Sequence, residues 1–377
     1  MNSTINYNDD KLERFIPIAF SELKEEIIKL NISNCNDVEN LAKSLRSYYH
    51  KDFYNRLLEA KRYYHLFNPD RDTVSIKEYT KEEKENLESI FIEKIVPLLN
   101  SANYERLNQL DINKAIEETS PYGVDVKVNF DEFDKLFLFF RGSAKKIEKR
   151  RTIKTLFLKK ELIETLVYRR LFLLFKQKID EKEYIYLKLF KDIPQSDLEM
   201  LFPNIKVKIA LIDKIKLSVT GGGGTAAGAM SLFGKLSLAL EPVALVSAIG
   251  AFGALIGRQI MSVFNHRTKY MAKLSKNLYY YNLDNNAGAI SHLFDMAEDE
   301  ESKEVFLAYM FLLQNNGLTK EHLDKKIESF INDTFNIPMD FEIEDAIEKL
   351  LKLQLIRYEN NKMLVMKIED AIKLLNG

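Results

Sequence analysis

This chain of 377 residues has very little cysteine, no tryptophan and almost no net charge. It has one cysteine, no tryptophan, and 55 basic residues against 56 acidic ones. A disulfide needs two thiols, so Cys35 cannot form one within the chain, and this cysteine usage indicates a reducing compartment. The charge balance argues against a general attraction to nucleic acid.

Recognisable catalytic motifs are also missing. The five histidines are scattered, and the glycine run 221–224 lacks the Gly-Lys-Ser/Thr ending of a phosphate-binding loop. The N-terminus has no basic segment followed by an apolar run, so we expect no secretory signal. We predict no cofactor and no metal, and the interpretation leans against an enzyme. One cluster, His292 with Asp295 and Asp299, lies near one helical face, but acidic helix faces are usually only solvated.

Charged residues almost vanish in residues 218–264, which hold three of them in 47 positions and nine of the 14 glycines. Two apolar runs, 221–240 and 243–264, are each long enough to span a bilayer. Small residues spaced by four favour close helix packing in membranes. The glycines assigned to such packing are Gly224, Gly228, Gly250, Gly253 and Gly257.

This pattern predicts a two-helix transmembrane hairpin. Basic residues on both flanks place both soluble parts on the cytoplasmic side of a membrane, or on the matrix side if the protein is mitochondrial. The alternatives are a buried hairpin in a soluble fold and a hairpin that inserts conditionally or oligomerises into a pore.

Outside that segment the apolar pattern predicts a mainly α chain with a small antiparallel β-sheet, an α+β fold. Helical spacing dominates residues 1–120, and strand alternation begins near Val124. Asp180 with Glu183 has the spacing of a helix cap. The predicted regions are a helical 1–120, a sheet with short helices over 121–217, the hairpin 218–264, a helical 265–317 and a winged-helix-like module 318–377.

Basic residues concentrate in the sheet region, with 13 of them against three acidic residues in 141–178. Such a patch could bind anionic lipid head groups or nucleic acid, or could be a solvated strand face. The residues assigned to this patch are Lys145, Lys146, Lys149, Arg150, Arg151, Arg169 and Arg170. The winged-helix-like tail carries more acidic than basic residues, so we expect it to bind protein rather than nucleic acid.

Several segments together resemble the family called domain of unknown function 3754, whose members include a mitochondrial transmembrane protein and bacterial and plant relatives. They are 48–50, 67–70, 130–134, 139–142, 187–194, 197–203, the glycine run and 283–288. The resemblance covers roughly 10–360 and implies a membrane protein with no established reaction. It also implies that Asp284, Asn285, Asn286 and Gly288 matter, either as a capped helix junction, which we favour, or as a ligand site.

The sequence thus predicts a membrane-anchored, non-enzymatic module that binds a protein partner or anionic lipid head groups. We expect a membrane, a protein partner or self-association, and no nucleic acid; the sequence is silent on a small molecule. The alternatives are a hairpin that oligomerises into a pore, and an enzyme or ligand-binding protein that uses the region from Asp284 to Asp299.

Overall fold

Three helices form the first half of the fold, where apolar side chains recur every three to four residues. The computed structural model describes residues 5–6, 12–108, 125–127, 134–151, 160–195, 198, 201, 206–208, 279–359 and 362–377. The helices are α1 (Phe20–Lys29), α2 (Cys35–Tyr64) and α3 (Lys81–Ser101). Thr80 and Glu83 form a capping box, with hydrogen bonds of 3.2 and 2.8 Å to each other's backbone amides.

An antiparallel sheet of six strands follows, larger than the small sheet that the sequence predicts. Strands β4, β5 and β6 are its centre, in the order β1-β4-β5-β6-β8, with β2 paired to β4. Outside this sheet, strands β3 and β7 pair with each other. The strand bounds are β1 (Ile5–Asn6), β2 (Glu105–Arg106), β3 (Asp125–Lys127), β4 (Leu136–Arg151), β5 (Lys160–Ile179), β6 (Lys182–Pro194), β7 (Lys206–Lys208) and β8 (Asn282–Asn285).

A helix predicted to follow Asp180 is in fact strand β6. Ile179 pairs with Lys182 across a two-residue turn, and both turn residues, Asp180 and Glu181, have positive φ angles of 48° and 64°. Such a turn reverses the chain into a hairpin whose twist matches the strands. The apolar residues of this segment therefore alternate across the sheet, and the prediction of a helix after Asp180 is wrong.

Both faces of the sheet carry apolar side chains. Phe172, Leu174 and Leu187 belong to the large core shared with the helices, whereas Leu171 and Leu173 belong to a second cluster. Successive residues of a strand point to opposite faces, so this alternation is what a sheet covered on both faces requires.

The central element of the core is helix α4 (Asn286–Gln314), which buries 19 of its 29 residues. It contacts the sheet at β6 and also packs on α1, α2 and α3. Its middle turn is unusual, because five consecutive buried positions, 300–304, include four charged side chains. Buried charges are costly unless they are paired, so this turn must find partners on other elements.

The C-terminal part has the predicted helix–helix–hairpin–helix order. Its elements are α5 (Lys320–Phe335), α6 (Ile343–Lys352), β9 (Ile356–Glu359), β10 (Lys362–Val365) and α7 (Ile368–Asn376). Helices α6 and α7 pack on α4 and α2, so their apolar faces lie in the same core.

The predicted fold class is wrong in its membrane part. Across the described residues, none of the helices combines the length and the apolar character that a bilayer span needs. The fold is mixed α+β, and the predictions of a transmembrane hairpin and of a membrane location with cytoplasmic or matrix orientation are corrected accordingly. Residues 218–264, to which the hairpin was assigned, lie outside the described residues.

Candidate anion-binding site

An arginine followed by a glycine lies in the middle of β4. Gly142 has φ +71°, and a Cβ atom there would come within 2.5 Å of Glu13 Oε2 and 2.7 Å of Phe15 Cε1. Only glycine fits this combination of a left-handed backbone and close contact. The glycine therefore lets the N-terminal segment around Phe15 lie directly against the strand beside Arg141.

Two further arginines come from the neighbouring strand β5. Arg141 and Arg170 are direct cross-strand partners, and Arg169 precedes Arg170. The Arg141 and Arg169 guanidinium carbons lie 4.4 and 5.0 Å from the centre of the Phe15 ring. Both distances are within the range of cation–π attraction, so one aromatic ring orients two cations.

Helix α4 supplies the partner of Arg141. The Glu300 carboxylate is fully buried; its Oε2 accepts a hydrogen bond of 2.7 Å from Arg141 Nη2, and its Oε1 accepts one from the backbone amide of Ile16. Lys303 lies 3.3 Å from the same carboxylate. Even so, Arg141 Nε is buried and has no hydrogen-bond partner among the described residues.

Arg170 has no carboxylate partner among the described residues. Its hydrogen bond goes to the carbonyl oxygen of Arg169, at 2.8 Å. Burial lowers the pKa of Arg170, while Tyr104 and Asp192 act in the opposite direction. Arginine nevertheless stays charged in proteins, so the site holds a half-buried cation whose remaining N–H donors are available to an anion.

A histidine from α4 and an aspartate from β8 lie at the same place. His292 Nδ1 is 2.7 Å from Asp284 Oδ2, and each side chain is a little over one-third exposed. Gly288 leaves room for this carboxylate, because a Cβ atom at Gly288 would lie 3.1 Å from Asp284 Oδ1. The pair joins the edge strand of the sheet to the second turn of the helix.

The arginines and the histidine line one cavity of about 180 Å³. Its walls come from the N-terminal segment, from β4 and β5, and from α4, where His292 and Met296 are one helical turn apart. The full lining is Phe15, Arg141, Arg169, Arg170, His292 and Met296. Three guanidinium groups on one small cavity form a site for an anion, since their planar N–H donors match carboxylate and phosphate oxygens.

The predicted family motif lies beside this cavity and has a role that differs from a capped helix start. Asn285 makes no side-chain capping hydrogen bond. The buried Asn286, with φ 49°, instead makes hydrogen bonds to other elements. Its Oδ1 accepts hydrogen bonds of 3.1 Å from both the Tyr64 hydroxyl and the Leu187 amide, and its Nδ2 donates one to Asp70. Asn286 therefore links α2, β6 and the turn after α2 to the start of α4.

The other predicted site residues are distributed differently. The five packing glycines Gly224, Gly228, Gly250, Gly253 and Gly257 lie outside the described residues. The predicted basic patch divides in two: Arg169 and Arg170 reach the cavity, whereas Lys145, Lys146, Lys149, Arg150 and Arg151 occupy later positions of β4.

His292, Asp295 and Asp299 do not converge on a metal site. His292 is paired with Asp284, and Asp299 lies 2.9 Å from Lys303. Within the described ranges, no group of three or more histidine, cysteine, aspartate or glutamate side chains is placed to hold a metal ion.

Residues 133–288 match the family model described as a protein of unknown function, DUF3754. This part of the chain is similar to the DUF3754 family. The recognition of the family is confirmed over these residues, a narrower span than the predicted 10–360. The DUF3754 region contains the three cavity arginines and Asp284, while His292 lies four residues past its end. No solved structure matches the chain.

Sequence reasoning missed Phe15 and did not connect Arg141 with His292. Phe15 lies in an N-terminal segment without helical or strand periodicity, so nothing in the pattern marks it. The Arg-Gly pair 141–142 was a usable signal, because a glycine inside a strand often marks a bulge or a close approach of another backbone.

Proposed function

We propose that this protein binds a small phosphate-bearing anion in the cavity lined by Arg141, Arg169 and Arg170. The observation that carries the proposal is Arg170, a half-buried guanidinium that faces two other arginines and has no carboxylate partner in the described part of the chain. Like charges at close range repel, so this arrangement is stabilised when an anion lies between them.

The chemistry of the lining favours phosphate over an apolar ligand. Guanidinium groups bind phosphate oxygens through pairs of parallel N–H donors, and burial strengthens each such hydrogen bond. A cavity of about 180 Å³ has room for a phosphate group and a few further atoms. The partly exposed His292 lies at the same cavity, so the ligand can extend towards solvent on that side.

The competing explanation is a purely structural ion network. Arg141 is paired with Glu300, and Arg169 lies 3.8 Å from Glu13 Oε1. These two contacts neutralise part of the positive charge, but they do not include Arg170. The proposal therefore depends on Arg170, and its removal is the discriminating experiment.

We expect Arg170→Ala to weaken binding of inorganic phosphate about 10- to 100-fold, because one charge-assisted hydrogen bond contributes roughly 1.5–3 kcal/mol. Isothermal titration of the full chain with phosphate measures this. The matched control is Arg357→Ala, which removes a guanidinium with a 79% exposed side chain from the C-terminal hairpin. Wild-type protein that binds no phosphate, or equal affinity in Arg170→Ala and wild type, would contradict the proposal.

The protein partner or self-association expected from the sequence stays a prediction.

A further inference from the structure

We propose that the cavity hydrolyses phosphate esters and anhydrides, with His292 as the general base and Asp284 as the residue that positions it. This inference rests on the proposed function, since the arginines must first hold the phosphate. It adds a reaction to a binding site, and it concerns two residues other than the arginines that hold the phosphate.

The first support is the geometry of the pair. With Asp284 Oδ2 only 2.7 Å from His292 Nδ1, the carboxylate accepts a hydrogen bond from the Nδ1–H group. A neutral imidazole carries a single ring proton, so Nε2 then has a free lone pair and can accept a proton. A carboxylate on one ring nitrogen also fixes the ring's orientation and stabilises the imidazolium that forms.

The second support is the position of the pair relative to the arginines. His292 lines the same cavity as the three guanidinium groups, and its side chain is 36% exposed, so water can reach the ring. The ring comes from a well-packed element, because Asn286, Ala289 and Ile290 in the first turns of α4 are all buried. A base held on a helix at the wall of the cavity is positioned to take a proton from a water molecule beside a bound phosphate.

The third support is the set of contacts that holds Asp284 in place. It lies on β8, where it pairs with Leu189 of β6, and the next residues are tied to α2 and β6 through Asn286. Gly288 keeps the space beside the carboxylate open. Asp284 is thus held between the strand and the helix, which is the arrangement that a positioning residue needs.

The reaction step follows from these positions. The oxygen of a water molecule attacks phosphorus while His292 Nε2 takes one of its protons. The bond between phosphorus and the ester or anhydride oxygen breaks on the opposite side, and its electron pair leaves with that oxygen, which takes a proton from solvent while the imidazolium returns its proton to solvent. The products are inorganic phosphate and the alcohol or acid. Arg141, Arg169 and Arg170 stabilise the negative charge on the transferring phosphoryl oxygens.

The competing explanation is that the pair is a half-exposed hydrogen bond that only joins β8 to α4. A structural pair and a catalytic pair differ in what their removal changes. If the pair is only structural, its removal lowers stability and does not change kcat. If His292 is the base, its removal lowers kcat much more than it weakens phosphate binding.

The test measures phosphate release by the full-length chain from acetyl phosphate, pyrophosphate and para-nitrophenyl phosphate, alongside titration with inorganic phosphate. We expect wild type to turn over at least one of the three. His292→Ala should lower kcat about 100-fold or more, and it should weaken phosphate binding far less than Arg170→Ala does. Asp284→Asn should lower kcat with little change in KM, since it acts through the histidine.

His322→Ala is the matched control, because His322 Nδ1 also makes a hydrogen bond, at 2.9 Å to Thr319, but on an exposed turn of α5. Thermal unfolding of each variant confirms that it is folded; His292→Gln serves if the alanine variant is not. Phosphate binding without turnover of any of the three compounds overturns the hydrolytic inference alone. Equal kcat in wild type and a folded His292 variant overturns it as well. Absence of phosphate binding overturns the proposed function and this inference together.

Discussion

At the scale of single residues, two adjacent asparagines at the start of α4 have opposite roles. Asn286 is buried and satisfies groups on three other elements, whereas Asn285 is exposed and makes no capping bond. Asn286 also has a positive φ angle, a conformation that asparagine tolerates better than most residues. The same residue type therefore has different importance at the two positions.

We expect Asn286→Ala to lower the free energy of unfolding by about 3 kcal/mol, because it leaves the buried Leu187 amide without its acceptor, removes the hydrogen bond to Asp70 and places alanine in the left-handed region. Asn285→Ala is the matched control and should cost less than about 1 kcal/mol. Urea unfolding monitored by circular dichroism measures both. Similar losses for the two variants would show that the hydrogen bonds of Asn286 do not stabilise the fold.

At the scale of elements, the β5–β6 hairpin determines where the central strands lie relative to each other. Its turn consists of Asp180 and Glu181, both with positive φ. Glu181 is a poor residue for this conformation, which glycine adopts at no steric cost. Its compensation is an exposed ion pair of 2.9 Å with Lys178, a contact of a kind that contributes little.

Glu181→Gly is therefore expected to stabilise the protein, by roughly 0.5–1 kcal/mol, because relief of the left-handed strain exceeds the loss of the ion pair. Glu181→Ala provides the comparison, since it removes the same carboxylate but keeps a Cβ atom. We expect that variant to be neutral or slightly destabilising. The midpoint of denaturant unfolding measures the difference. A glycine variant that is less stable than wild type would argue against strain at Glu181.

At the scale of the whole molecule, a buried charge network joins the C-terminal part to the core. Lys349 of α6 lies 2.6 Å from Glu304 and 3.6 Å from Glu301 of α4, and 2.6 Å from Asp345 of its own helix. Asn103, after α3, donates a hydrogen bond of 3.0 Å to Glu304. Burial raises the pKa of Glu304 to about 7, while Lys349 lowers it and Glu300 and Asp345 raise it.

This raised pKa gives stability a defined pH dependence. The folded state holds the Glu304 proton more tightly than the unfolded state, where the carboxyl has its ordinary pKa of about 4.5. The resulting contribution to stability is fully present below that value and is lost as the pH rises towards about 7, with a slope of at most about 1.4 kcal/mol per pH unit.

We expect Glu304→Gln to remove this loss, so that the variant gains stability relative to wild type between about pH 5 and pH 7. Urea unfolding at several pH values across this window gives the comparison. Glu348→Gln is a suitable control, because Glu348 lies on the same α6 surface outside these close pairs. A difference between Glu304→Gln and wild type that does not vary with pH would contradict the expectation.

Local signals in the sequence were sufficient for the helices and failed at the hairpin turn. Helix α2, the Thr80–Glu83 cap and the order of the C-terminal elements follow from the spacing of apolar and capping residues, because these signals operate within four residues along the chain. The strand after Asp180 does not follow from such signals, because the turn before it uses positive φ angles at residues other than glycine or asparagine.

The sequence by itself determined most of the helices, the presence of an antiparallel sheet and the similarity of residues 133–288 to the DUF3754 family. Tertiary structure alone decided the site. Phe15, Arg141, Arg170 and His292 are separated by up to 277 positions (from 15 to 292), and only the pairing of β4 with β5 and the packing of α4 bring them to one cavity. Strand register and helix packing depend on contacts between distant residues, whose free energies are not encoded in any short window of the chain.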